Sequence, residues 1–323
     1  MDSTTYSDEL ETRLARGVVC LDEDFRSTQG HWLLARRNPD GGFSGRAGES
    51  DLYYTGFAVR SAVLLGLEAP DLWSGLWEFV YRKGPRLGEP ADALSLLVIK
   101  KALDSHGHKA CCPTSEQRLL DQAWTTLDRF RHPDGGYRKT RRGAVSLYQT
   151  FLAALSFELG LGPFPCAGQV PGMLTAHRGA DGGFSDLPGK PAGTNPTAAA
   201  LGLISMFKIS DLELVRGATV FLGKMQRAQG GFAAAAKAPV PDLMSTFTTM
   251  VSLEGLQATG SVKLGPVGRF VRDLAMPGGG FAGAPGDDQP DVEYTYYGLG
   301  TLALLAGRVR EARWTRNDRK TVR

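Results

Sequence analysis

The sequence predicts an all-α fold, an α/α toroid in which six helical hairpins form a double ring of inner and outer helices. The first observation behind this is a recurring signature. It stands at Asp40-Gly41-Gly42-Phe43, Asp134-Gly135-Gly136-Tyr137, Asp181-Gly182-Gly183-Phe184, Gln229-Gly230-Gly231-Phe232 and Gly278-Gly279-Gly280-Phe281. The first glycines fall at 41, 135, 182, 230 and 279, so the intervals are 94, 47, 48 and 49. Because 94 is twice 47, an eroded sixth copy is expected near Gly88, before the apolar run Ala93 to Ile99. A fixed period of this length marks a repeat architecture. The second observation is that every signature lies between an amphipathic stretch and a much more apolar one. The third is that no polar capping repeat closes either end, as an open solenoid requires.

Taken in order, the elements of each unit follow from composition. The stretches before the glycines, such as Glu116 to Arg131 and Leu212 to Arg227, space apolar residues by three and four and read as outer helices. The glycines are expected to end these helices, where a positive φ is common. The aromatic that follows is expected to fill the gap between neighbouring units. After a polar loop come Gly56 to Leu67, Phe151 to Leu159, Ala198 to Met206, Thr248 to Leu256 and Gly298 to Leu305, with few charges on any face. Such helices are buried ones. Residues 1–307 therefore read as one toroid domain of six repeats of roughly 48 residues. Residues 308–323 read as a basic C-terminal tail, with seven Lys/Arg against Glu311 and Asp318.

Composition narrows the function classes. A net charge of +3 over 323 residues gives no general polyanion-binding surface, so nucleic acid is not an expected partner. The basic tail reads as a solvated terminus, with an anionic surface as the alternative contact. Cys20, Cys111, Cys112 and Cys166 form no CxxC and no disulfide framework, which suits a reducing compartment. Met1 to Leu10 is polar and acidic, unlike a signal or transit peptide. No apolar run reaches 18 residues, so no transmembrane segment is expected and a cytoplasmic location is.

Candidate site residues come from aligning the threonines that open the inner helices, Thr55, Thr150, Thr197, Thr246 and Thr295, each a candidate N-cap or first-turn residue. Four residues earlier stand Asp51, Ser146, Gly193, Asp242 and Asp291. Two earlier stand Tyr53, Tyr148, Asn195, Met244 and Glu293, and one earlier Tyr54, Gln149, Pro196, Ser245 and Tyr294. With all inner helices parallel, their N-termini and dipole-positive ends converge on one mouth above an apolar barrel. A polar rim over a greasy interior suits a ligand with a polar head and a hydrocarbon tail. Carboxylates at the rim could raise one another's pKa to give a general acid, or bind a hard cation such as magnesium. The competing reading of Asp51, Asp242 and Asp291 is a repeated loop-organising role, capping backbone amides. Tyr53, Tyr54, Tyr148, Tyr294, Tyr296 and Tyr297 supply aromatic faces that can stabilise a carbocation, or equally pack between repeats.

On these residues the chain resembles the protein prenyltransferase β-subunits, in particular the Rab geranylgeranyltransferase β-subunit, within the wider prenyltransferase and terpene-cyclase toroids. The resemblance covers most of the chain. It is strongest from Gly279-Gly280-Phe281-Ala282 through Pro285-Gly286-Asp287 to Asp291 and Thr295, and extends to Gly230 through Asp242. It implies an isoprenoid substrate and, in the β-subunits, a helical partner subunit. In that family a zinc that activates the acceptor thiol is held by an Asp, a Cys two residues later and a His in the final repeat. The Asp corresponds to Asp242, but the other positions hold Met244 and Tyr294, so zinc is not expected. The diphosphate-binding His, Tyr and Arg correspond to Gly193, Ser245 and the Ala233–Ala236 stretch, leaving Lys237 as the nearby cation. The DxDD string of class II cyclases is absent, and Asp22-Glu23-Asp24 reads as a solvated face. Asp287-Asp288-Gln289-Pro290-Asp291 matches DDxxD literally but is broken by Gly286 and Pro290 into a loop.

The expectation is an isoprenoid-handling enzyme, transferase-like or cyclase-like, without the family zinc site. Asp242, Asp291, Glu293 and Tyr294 are its candidates for polar chemistry, with Asp291 or Glu293 as general acid. Tyr53, Tyr54, Tyr148, Asn195, Lys237, Met244 and Tyr297 are candidates for substrate contact. The alternatives are a non-catalytic toroid that binds lipid or serves as a scaffold, and a β-subunit with an altered metal site.

Overall fold

Burial sorts the helices into two sets, as their composition requires. The computed structural model describes residues 4–321, apart from the side chains of Lys83 and residues 309–321. The apolar set comprises α3 (Leu52–Leu65), α5 (Pro90–Ser105), α7 (Leu147–Ser156), α9 (Thr194–Met206), α11 (Leu243–Gly255) and α13 (Val292–Thr321). Between them run α2 (Glu23–Leu34), α4 (Pro70–Glu78), α6 (Pro113–Asp128), α8 (Val170–His177), α10 (Leu212–Lys224) and α12 (Leu264–Asp273). Each apolar helix packs on the next, and α13 packs on α3, which closes the inner ring. The outer wall closes too. Gln29 Oε1 on α2 accepts the Gly280 N–H at 2.8 Å, and Phe25 meets Phe281 edge-on at 6.2 Å. The open-solenoid alternative is excluded, because first and last repeats touch.

The repeat signature builds the hairpins by a mechanism its glycines and threonines share. Phe43, Tyr137, Phe184, Phe232 and Phe281 are fully buried. Each of their backbone N–H groups donates to the threonine hydroxyl of the following inner helix, at 2.9 to 3.2 Å. These threonines are not the N-caps. They lie in the second turn, and the residue four positions earlier caps the helix. Asp51, Ser146, Asp242 and Asp291 accept the N–H three residues on, with Gly193 at the equivalent place in α9. The glycines do not end the outer helices either. Helix α2 stops at Leu34, and Gly41, at φ 92°, turns the chain afterwards with its N–H on Asn38 O. The extra residues let the aromatic bridge both arms, as Phe43 pairs with Arg37 and with Asp51. In the third repeat the arms form a minimal sheet, β1 (Tyr137–Arg138) against β2 (Val145–Ser146), with Tyr137 opposite Ser146.

The eroded sixth copy is the α4–α5 hairpin. It replaces the glycine turn with a π-helical extension, Phe79–Lys83, and Gly84 in the left-handed region. Helix α5 starts with a Glu89–Asp92 capping box instead.

Sequence reading overlooked α1 (Tyr6–Val18). It packs on α13, α3 and α9. Its Asp8 and Glu11 pair with Lys101 near the C-terminus of α5, its Tyr6 ring meets Phe151 of α7 edge-on at 5.9 Å, and its Arg13 lies against Gly255 at the end of α11. A helix that touches all six members of a ring must cross its axis. Helix α1 is the floor of the barrel, set at the C-terminal ends of the inner helices. The C-terminal tail is helical to Thr321 as part of α13, and Arg308 pairs with Glu254 at 3.1 Å. The anionic contact considered for residues 308–323 otherwise lies outside the described side chains. Among the described residues, no helix is long and apolar enough to cross a membrane.

Candidate active site

Three of the candidate carboxylates turn out to be helix caps. Asp242 Oδ1 accepts the Ser245 N–H at 2.7 Å and Oδ2 accepts the Ser245 hydroxyl at 2.8 Å. Asp291, only 4% exposed, accepts the Tyr294 N–H at 2.9 Å. Asp51 does the same for Tyr54 at 2.7 Å. Burial raises the pKa of all three against these hydrogen bonds. Arg46, which sequence reading did not single out, pairs with Asp287 and brings Nε to 3.9 Å from Asp291. The DDxxD-like string is thus a loop with one acid ion-paired and one serving as a cap. At this rim Tyr54 packs on Gly45 and Tyr294 on Gly283, and burial pushes the Tyr294 phenol up to about 12.

Glu293 has a different environment. It is 8% exposed, and its Oε1 accepts two phenol hydrogen bonds, from Tyr53 at 2.8 Å and Tyr297 at 3.2 Å. The partners come from α3 and α13, so the cluster forms only where the ring closes. Burial raises the Glu293 pKa, the phenol donors lower it, and Asp291 adds to the rise; burial prevails. The Tyr53 phenol is driven far up by burial and by the Glu293 charge. Tyr148 on α7 also feels the Glu293 charge, and burial pushes it up to about 12. Because α7 and α13 face each other across the ring, Glu293 and Tyr148 both face its interior.

Further along the same helices the inner face of the ring is aromatic. Phe57 meets Tyr296 and Tyr297 with centroids 5.9 and 5.3 Å apart, and Phe247 meets the same two rings at 5.3 and 5.2 Å. Helices α3, α11 and α13 supply these rings. Spacing alone indicated the tyrosines; Phe57 and Phe247 carry no sequence mark beyond being one turn from the Tyr53 and Met244 positions.

The remaining candidates divide. Asn195 donates to Met244 Sδ at 3.0 Å and accepts the Thr248 hydroxyl at 2.8 Å, a polar seam between α9 and α11. Lys237 is exposed in a loop whose carbonyls, from Ala235, Ala236 and Ala238, are held by the Arg227 guanidinium. Among the described residues it makes no hydrogen bond or ion pair with the Glu293 cluster. The family zinc does not fit these residues. Both Asp242 oxygens are engaged by Ser245, Met244 offers a thioether bonded to Asn195, and Tyr294 offers a phenol of raised pKa. Among the described residues, no group of three His, Cys, Asp or Glu is placed to hold a metal ion.

Comparison with known proteins agrees with this architecture. Among solved structures, the protein geranylgeranyltransferase-I of Candida albicans complexed with GGPP has a TM-score of 0.65 at 13% identity, over 87% of this chain and 91% of that one. A variant of the type II terpene cyclase MstE from Scytonema, in complex with geranylgeranyl dihydroxybenzoate, has a TM-score of 0.62 at 15% identity, over 92% and 99%. An inactive variant of an alpha-1,6-mannanase from Salegentibacter reaches 0.58 at 10% identity, over 88% and 98%, so likeness at this level speaks for the fold alone. No curated protein sequence matches the chain. The profile of the Prenyltransferase alpha-alpha toroid domain matches residues 15–84 and 167–323. The chain belongs to the prenyltransferase alpha-alpha toroid family.

Proposed function

We propose that this protein binds an isoprenoid chain in its central lumen and protonates an alkene of that chain with the Glu293 carboxylic acid, as a cyclase-like enzyme independent of zinc. The observation that carries the reading is the buried Glu293 held by Tyr53 and Tyr297 directly above the Phe57, Phe247, Tyr296 and Tyr297 rings. With Oε1 accepting two phenol hydrogen bonds, the acidic proton belongs on Oε2. In the reaction the Oε2–H bond breaks, the alkene π pair forms a new C–H bond, and positive charge develops on the adjacent carbon. The aromatic faces below stabilise that charge by cation–π attraction. Internal attack by further alkenes, loss of a proton to water and reprotonation of Glu293 from solvent complete an isomerisation that needs no oxidant or metal. Solved proteins of similar fold that hold GGPP or a geranylgeranyl compound support the choice of substrate class.

The test is incubation with geranylgeraniol and with GGPP, followed by product analysis for isomers of unchanged mass. Glu293→Gln should cut isomer formation by about 10²-fold or more, the usual contribution of a positioned acid. Asp242→Asn, which keeps the cap, should leave it nearly intact. Equal activity in Glu293→Gln would sink the proposal. A second reading, a non-catalytic isoprenoid-binding toroid, is favoured by the cap duty of Asp51, Asp242 and Asp291. It predicts saturable binding of the same compounds without any isomer.

A further inference from the structure

Two turns below Tyr53 on α3, the lumen stripe Tyr53, Phe57 continues with Arg60. Seven residues of helix place it about 10 Å deeper. Its guanidinium stacks over Phe57, 5.1 Å from the ring centroid. Burial raises the phenols of Tyr296 and Tyr297 on α13 and of Tyr148 on α7, and the Arg60 charge opposes that rise in all three. Helices α3 and α7 are separated by α5, so Arg60 reaches Tyr148 across the lumen rather than through the wall. Arg60 is half-buried and, among the described residues, makes no hydrogen bond or ion pair. From the floor, Arg13 of α1 acts on Tyr6, which neighbours Tyr296, and Arg13 Nη1 is buried without a hydrogen-bond partner. Of the carboxylates at that end, Glu158 accepts the Ser7 N–H at 2.7 Å, Glu11 binds Lys101 at 2.8 Å, Glu254 pairs with Arg308 at 3.1 Å, and Glu9 is exposed on α1.

We infer that the deep half of the lumen, around Arg60 and flanked by Arg13, is a subsite for an anionic group on the substrate, of carboxylate or phosphate type. The argument rests on the lumen reading above and deepens it. A cation-stabilising box with an unpaired guanidinium at its edge would oppose the charge it is built to hold. An anion supplied by the ligand removes that conflict and gives the orphaned Arg13 nitrogen an acceptor at the same end. The roughly 10 Å between the Glu293 and Arg60 levels spans about two isoprene units. The ligand would therefore lie with its anionic end down and its reacting alkene beneath Glu293.

Isothermal titration with three probes of one chain length tests this: geranylgeraniol, geranylgeranoic acid and geranylgeranyl phosphate. The wild-type protein should bind at least one of the two anions about tenfold or more tightly than the alcohol at low salt. Which anion gains more identifies the group. Arg60→Gln should erase that preference while leaving alcohol affinity within about twofold, which also shows that the variant is folded. Arg60→Lys should keep part of the preference. Equal affinity of wild-type protein for alcohol and anions, or a preference unchanged in Arg60→Gln, overturns the subsite and leaves the apolar lumen standing. If even the alcohol fails to bind, the lumen reading falls, and the subsite with it.

Discussion

Gly17→Ala sets two effects of opposite sign against each other. In an open helix, glycine to alanine stabilises by about 1 kcal/mol through backbone entropy and helix propensity. Gly17 is not open: a Cβ built there falls inside the main-chain carbonyl of Ala303 on α13, and backbone cannot move aside as a flexible side chain would. Overpacking of this kind costs about 1–3 kcal/mol or more. What it threatens is the docking of α1. That docking buries Leu14 and Val18 to 3% and 4% exposure, each worth about 1.5–3 kcal/mol. The Lys101 pairs, more than a third exposed, add at most a fraction of a kcal/mol each. The loss of one close contact is therefore a large share of the free energy that holds the floor. Hydrogen exchange should show the α1 amides losing protection by about 10-fold or more while α9 and α11 keep theirs. Gly172→Ala on α8, where a Cβ meets nothing within 4 Å, is the control and should stabilise slightly. If Gly17→Ala proves as benign as Gly172→Ala, α1 is not seated through this contact and the floor assignment fails.

Three further outcomes follow from the hydrogen-bond and charge arrangement. Thr150→Val leaves the buried Tyr137 N–H without its acceptor at 2.9 Å and should cost about 1–3 kcal/mol in urea unfolding, far more than Thr175→Val on the exposed face of α8. Asp242→Ala should cost about 0.5–2 kcal/mol as a lost N-cap, whereas Asp242→Asn should cost little; equal losses would point to a role for the charge itself. The raised pKa of Glu293 means the native state holds its proton more tightly than the unfolded chain. Its contribution to stability is therefore present below the unfolded value near 4.5 and is lost as pH rises through the folded pKa. Each unit of that window is worth about 1.4 kcal/mol. Thermal melts should show Glu293→Gln gaining on wild type as pH rises above about 4.5, and a gap independent of pH would contradict the burial argument.

The ring was legible because its period is written in residues that do one thing. Only a small residue turns beside a neighbouring helix, and only a hydroxyl in the second turn reaches the aromatic N–H, so Gly41 and Thr55 recur. What was misread was their local duty: the glycine turns after the outer helix has ended, and the threonine tethers while the aspartate caps. Helix α1 escaped notice for a physical reason. Its stripe Tyr6, Leu10, Leu14, Val18 is a single i, i+4 row on an otherwise charged segment, and such a row looks like a surface helix until something covers it. Arg60 escaped because a charge within an apolar helix has no partner visible in sequence. Its spacing of seven from Tyr53 was the available signal.

The cap duty also separates what the fold requires of this rim from what a ligand would require. A residue four places before each threonine is held by the fold whatever the lumen does, since an uncapped buried helix start leaves N–H groups without acceptors. The cap duty of Asp242 accounts for an aspartate at that position without any metal. The residues two places after the cap answer to the lumen instead. They are Tyr53, Tyr148, Asn195, Met244 and Glu293, no two neighbours around the ring alike. Only Glu293 among them brings a carboxyl group, and it sits between two phenol donors, Tyr297 one turn along its own helix and Tyr53 brought from α3 by the ring closure. The capping column keeps the helix starts in place, so the side chains two and three places after it, Met244 and Tyr294 among them, can differ from repeat to repeat without disturbing the ring.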